Sequence, residues 1–187
     1  MNSNDSTKKR ISYEEFEDMD KTEDNLEFIN GIVYIQAAPS VIHQTVVTNL
    51  STEFGTYFRG KSCRHSVAPF DIVLENGKEK NKVQPDITVI CDKSGLNDNN
   101  YVGTPALVVE VLSPSTTSKD YIEKMDLYMR CGVREYWIIS PKSRTVEVFT
   151  LEENRMFSEP RIYSKEDIVT SHLFQDFSVD LQNLFII

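Results

Sequence analysis

Two acidic side chains stand where a folded chain has little use for them. Glu110 interrupts the aliphatic run Leu107, Val108, Val109, Val111 and Leu112, and Asp86 opens a second apolar stretch, Ile87 to Cys91, directly after Pro85. An ionised carboxylate inside a strand is costly unless a positive or hydrogen-bonding group meets it. Proline is tolerated at a strand start, where no ladder donor is needed. Two carboxylates on adjacent strands, converging on one point, either share a proton or hold a cation. Oxygen-only ligation completed by water suits Mg2+ or Mn2+. Asp120, Lys124 and Tyr128 follow at i, i+4 and i+8, on much the same face of a helix. A crossover that packs this helix onto the sheet brings Lys124 toward the carboxylates, where an ammonium stabilises charge building on a phosphate. The structural alternatives are that Lys124 pairs with Asp120 on a solvated helix face, worth roughly a few tenths of a kcal/mol, and that Glu110 lies on an edge strand and faces water.

The elements that must position these residues are legible in outline. Ser12 and Glu15 read as a capping box opening a short helix over Tyr13–Met19. Leu26 and Phe28, then Asn30-Gly31, then Ile32 to Ile35 predict a β-hairpin with a type I′ turn. Apolar residues from Val41 to Phe58 recur at helical spacing, with Gly60 as the cap. Short strands are expected at Arg64–Ala68, Phe70–Leu74 and Ile87–Cys91, and residues 93–104 read as irregular. Ala106–Leu112 predicts a buried central strand, Lys119–Arg130 a helix closed by Gly132, and Arg134–Ser140 a second buried strand. Thr145–Leu151 and Met156–Tyr163 predict a C-terminal hairpin, and the apolar tail Phe174–Ile187 packs on the body. The sum is an α/β (α+β) chain with a mixed central sheet flanked by helices. Residues 1–10 read as a disordered tail and 11–187 as a single domain.

Composition bounds the function. In 187 residues, 20 Lys plus Arg stand against 29 Asp plus Glu, a formal charge of −9. That argues against a protein that coats nucleic acid non-specifically, though not against an enzyme gripping it through a local basic patch. The basic clusters (Lys8, Lys9, Arg10; Arg59, Lys61, Arg64, His65; Lys78, Lys80, Lys82) read as solvated surface. No apolar stretch is long enough for a membrane helix, and the polar N-terminus is no secretory signal, so a cytoplasmic location is expected. Three widely spaced cysteines, Cys63, Cys91 and Cys131, read as reduced thiols, and the histidines show no metal-ligand spacing.

The runs PDITVIC, LVVEVLSPST and DYIEKMDLYMRCGVREYWIISP, with YEEFEDMD, NLEFINGIVY and APSVIHQTVV before them, resemble the bacterial Uma-two endonuclease family of the restriction-endonuclease-like PD-(D/E)XK superfamily. The likeness runs from about Tyr13 to Leu184. It implies a divalent-metal phosphodiesterase site in which Asp86 matches the PD aspartate and Glu110 the acidic residue of the second element. The lysine expected two residues after Glu110 is replaced by Leu112, and the resemblance points to Lys124 in its stead. Glu27 matches a position that can supply a further ligand, or is an outward strand residue. On this reading Asp86 and Glu110, aided by the Val111 carbonyl, bind Mg2+ (or Mn2+), which activates a water for attack on a phosphodiester. DNA is the expected substrate, RNA the other nucleic acid in reach, and a homodimer an assembly compatible with cutting two strands.

Asp71, which also begins a strand, is a lesser candidate to face the site. His43 reads as a structural histidine or a substrate contact, Asp120 as the acid that complements a helix N-terminus, and Tyr128 as a packing residue or a phosphate contact. Trp137 reads as core. Replacing Glu110 or Lys124 by alanine is expected to stop cleavage and leave the fold intact. The competing functions are a catalytically inactive module binding nucleic acid or protein on the same scaffold, and a hydrolase of another phosphate ester.

Overall fold

The computed structural model describes residues 9–20, 25–114 and 116–186. Of the N-terminal tail, residues 1–8 lie outside that description. Helix α1 (Tyr13–Asp20) opens on the expected capping box: the Ser12 N–H donates to Glu15 Oε2 at 2.8 Å and the Glu15 N–H to Ser12 Oγ at 3.2 Å. Strands β1 (Leu26–Ile29) and β2 (Ile32–Ile35) form the hairpin. Asn30 and Gly31 take φ of 52° and 84°, as a type I′ turn requires. Helix α2 (Val41–Phe58) follows, its Ser40 cap accepting the His43 N–H.

Strands β3 (Arg64–Val67), β4 (Asp71–Asn76), β5 (Glu79–Val83), β6 (Ile87–Ile90), β7 (Asn100–Val102) and β8 (Leu107–Val111) come next. A π-helical segment (Lys119–Lys124) then runs into α3 (Met125–Cys131), which ends at Gly132 in the left-handed region. Strands β9 (Glu135–Ser140), β10 (Thr145–Thr150), β11 (Arg161–Ser164), β12 (Ile168–Thr170) and β13 (Ser178–Asp180) lead to α4 (Leu181–Leu184).

The central sheet is six-stranded, ordered β11-β10-β9-β8-β6-β3, with β8 and β9 parallel across the helical crossover and the other pairs antiparallel. A five-stranded sheet, β2-β1-β5-β4-β7, and the β12–β13 pair complete the architecture. The mixed central sheet flanked by helices is the expected one. Alternation along β8 divides its side chains between two cores. Leu107, Val109 and Val111 pack with Val46, Leu50 and Phe54 of α2 and with Phe177, Leu181 and Phe185 of the C-terminal segment. Val108 faces the other way, with Leu127 and Tyr128 of α3 and Ile72 and Leu74 of β4. Glu110 shares the parity of Val108 and so points toward the crossover helix. No helix among the described residues is long and apolar enough to cross a membrane.

Several expectations are corrected. β8 lies inside the sheet, so Glu110 is not on an edge. Lys82 is not solvated. It lies on a strand the charge pattern concealed, β5, and is 5% exposed, its Nζ 2.5 Å from Asp20 Oδ2 and 3.0 Å from Asp71 Oδ2. Residues 93–104 are not wholly irregular, because β7 pairs parallel to β4. Cys63 and Cys91 form a disulfide and Cys131 is the free thiol, in place of three reduced cysteines. The register of β3 on β6 (Arg64 opposite Ile90) brings the two cysteines face to face, with Cα atoms 4.0 Å apart. Their 28-residue separation in sequence carries no hint of that.

Candidate active site

The register of β6 on β8 sets Ile87 opposite Val109 and Thr88 opposite Val108. One further step sets Asp86 opposite Glu110. Cross-strand neighbours are close, and like charges there demand a third party. Asp86 Oδ2 accepts the Val111 N–H at 2.7 Å, and His43 Nε2 lies 3.2 Å from the same oxygen. Glu110 Oε1 accepts from Lys124 Nζ and from Tyr128 Oη, each at 2.7 Å. Each carboxylate thus has one oxygen held by the protein. Asp86 Oδ1 and Glu110 Oε2 carry no hydrogen bond among the described residues.

Lys124, 2% exposed, is the hub. Its Nζ also lies 2.8 Å from Glu27 Oε1 and 3.9 Å from Asp120 Oδ1. Glu27, from β1, is fully buried. It accepts from Lys119 Nζ at 2.6 Å and from the Gln84 N–H at 3.0 Å. The crossover is pinned at both flanks: Tyr136 Oη donates to the Asp120 carbonyl at 3.1 Å and Tyr121 Oη to Glu147 at 2.7 Å. π-Helical turns are rare and concentrate at functional sites.

Charge follows from this crowding. Burial penalises ionised Glu27, but Lys124 and Lys119 overcome it and hold the carboxyl down at about 2. Burial dominates at Glu110, and against the pull of Lys124 the charges of Asp120, Asp86 and Glu27 help push it up to about 8. Burial also raises Asp120. Burial opposes a charged Lys124, yet Glu110, Glu27 and Asp120 lift it well above the ordinary lysine value. At His43, too, burial opposes charge, but the hydrogen bond to Asp86 and its charge, with the Val111 backbone and the charge of Asp120, together outweigh it and raise the ring's pKa.

A cleft of about 780 Å³ opens over these groups, lined by Asp86, Glu110, Asp120, Lys124, Lys119 and His43 among others. Four carboxyl groups (Glu27, Asp86, Glu110, Asp120) share two ammonium groups, and the raised Glu110 and Asp120 are the groups whose ionisation a further positive charge in the cleft would favour. Among the described residues no three His, Cys, Asp or Glu side chains cluster as metal ligands. Two carboxylates with spare oxygens on an open cleft still fit Mg2+ or Mn2+, because Mg2+ is commonly held by one or two carboxylates and keeps several waters.

The remaining candidates divide. Asp71 does not line the cleft, since Lys82 and the Gln84 side chain (Nε2 to Oδ1, 2.6 Å) hold its oxygens. Tyr128 and Glu27 lie beneath the cleft rather than on it. Asp120 does stand in the first helical turn, but it is 2% exposed. It therefore serves the buried cluster and not a solvated helix end. Lys119 and Gln84 escaped the sequence reading. Lys119 sits five residues before Lys124, a spacing that faces one site only because the helix between them is π-helical, and nothing in its residue types announces that.

The fold matches that of a crystal structure described as "a putative nuclease belonging to DUF820 from Anabaena variabilis ATCC 29413", with a TM-score of 0.76 over 94% of this chain and 97% of that one. At 17% identity the likeness is one of fold. An uncharacterized protein of Synechocystis sp. (strain ATCC 27184 / PCC 6803 / Kazusa) is 29% identical over 124 residues, 66% of this chain and 64% of that protein. The Uma2 family, described as "Putative restriction endonuclease", matches residues 13–182, and the chain belongs to it.

Proposed function

We propose that this chain is a divalent-metal-dependent endonuclease that hydrolyses phosphodiester bonds, with DNA as substrate. The observation that carries the reading is the cross-strand pair Asp86 and Glu110, each with one oxygen fastened and the other bare at the cleft, beside a buried lysine. Asp86 Oδ1 and Glu110 Oε2, with the Val111 carbonyl, are the groups that would hold Mg2+ or Mn2+. When bound, such an ion supplies Lewis acidity and a more acidic water. Tyr128 and Lys124 hold Glu110 in place. Lys124 has three donors and spends two on Glu27 and Glu110, so the third is free for a phosphate oxygen or for the attacking water. Its charge, kept by three carboxylates, opposes the negative charge that builds in the transition state.

The test uses Asp86→Asn and Glu110→Gln, which preserve shape and most hydrogen bonding. Circular, linear and single-stranded DNA and RNA are incubated with Mg2+, Mn2+ or chelator. Cleavage that needs the metal and falls by about 100-fold or more in both variants is expected. Cleavage that survives both substitutions, or that proceeds in chelator, rejects the assignment. Nucleic-acid binding without cleavage and indifferent to metal would establish the inactive binding module instead.

A further inference from the structure

We infer that His43 is a positioning residue: with the Val111 N–H it clamps Asp86 Oδ2, so that Oδ1 is the oxygen presented to the cleft. The inference rests on Asp86 serving as a ligand in the proposed nuclease site. His43 lies in the first turn of α2, and its own N–H is anchored on Ser40 Oγ at 3.3 Å, which fixes the backbone from which the ring projects. The side chain is 12% exposed, and its Nε2 lies 3.2 Å from Asp86 Oδ2. The other nitrogen, Nδ1, is buried and has no hydrogen-bond partner among the described residues. A histidine retained for packing has both nitrogens satisfied as a rule. Here the contact of hydrogen-bonding length is spent on Asp86.

The clamp answers a need of the geometry. Asp86 stands at the mouth of β6, after Pro85, opposite a second carboxylate. Without a donor on its far side it would turn away from Glu110 toward solvent. Two donors converging on one oxygen remove that freedom. Groups that orient a ligand in this way carry about 10- to 100-fold in metal affinity.

Three proteins decide it: wild type, His43→Leu, which loses the donor, and His43→Gln, whose amide can donate from a similar position. The first readout is metal-free. Long-range 1H–15N spectra of wild type should show a proton on Nε2. The Asp86 carboxyl 13C resonance should move in His43→Leu and return toward the wild-type value in His43→Gln. The second readout is Mn2+ and Mg2+ calorimetry, in which His43→Leu should bind about 10- to 100-fold more weakly and His43→Gln within a few-fold of wild type. A wild-type ring lacking the Nε2 proton, or an Asp86 resonance indifferent to both substitutions, overturns the clamp whatever the metal does. So does metal affinity unchanged in His43→Leu. If wild type takes up no metal while the spectra behave as expected, the nuclease reading fails and the clamp stands. The tautomer needs no variant, so the inference stays testable should His43→Leu fail to fold.

Discussion

Glu27 shows what a buried charge does when its partners are present. It is fully buried, bridges Lys119 and Lys124, and its carboxyl is held near 2 against an ordinary 4.5. A depressed carboxyl contributes stability that is present above the unfolded value and lost as pH falls through the folded one. The window therefore runs from about 4.5 down to about 2, and the contribution is on the order of 3 kcal/mol. Urea unfolding of wild type and Glu27→Gln should differ most near neutral pH, with the gap closing as pH falls. A gap that stays constant down to about pH 2.5 would contradict this account. The same logic revises the alanine expectation at Lys124. Removing that ammonium leaves buried Glu110 with no cation and Glu27 with Lys119 as its one ammonium among the described residues, at a cost of about 3–5 kcal/mol. Lost cleavage in Lys124→Ala would then report unfolding as much as chemistry. Glu110→Gln keeps a neutral hydrogen-bonding group where Tyr128 needs an acceptor, and it is the cleaner probe.

Among the elements, the C-terminal segment depends on a carboxylate that the sequence reading passed over. Glu135 opens β9 and is fully buried. It accepts Trp137 Nε1 at 2.6 Å, Ser171 Oγ at 3.0 Å and the Leu173 N–H at 2.7 Å. Those bonds latch the chain just after β12 to the central sheet, and Phe177, Leu181 and Phe185 then close over α2. Glu135→Ala strands three donors, each worth about 1–3 kcal/mol if left unsatisfied. Hydrogen exchange should speed up first across β12, β13 and α4, before the centre of β8 and β9 is affected. Uniform acceleration over the whole sheet would show that the latch is not local. The hairpin and the capping box need no such partner, because their bonds close within a few residues.

For the molecule as a whole, the disulfide is the feature that most changes what the chain is expected to be. It joins the ends of β3 and β6, the strand pair whose opposite end carries Asp86. Thiol titration of the unfolded, unreduced protein should find one reactive thiol, Cys131, and three after reduction. Losing a bridge of this kind costs about 2–5 kcal/mol, so the melting temperature should fall on reduction. Three thiols without reductant would refute the pairing.

The local signals were legible because their physics is local. The Asn30-Gly31 turn, the Ser12 and Glu15 box, the apolar run of β8 and the helical character of the stretch around Lys124 are each marked by neighbours within a few residues. Glu110 stood out because an acid among aliphatics is conspicuous wherever the strand lies. What only tertiary structure decided is who stands across from whom. The register that sets Asp86 opposite Glu110 and Cys63 opposite Cys91 is a property of strand pairs, as is the burial of Lys82. The π-helical turn that aims Lys119 and Lys124 at Glu27 is held from other elements by Tyr136 of β9, which donates to the Asp120 carbonyl, and by Glu147 of β10, which accepts from Tyr121. Such contacts are made between segments far apart in the chain, and hydrophobic periodicity, which reports only which face of an element is buried, does not encode the partner that buries it.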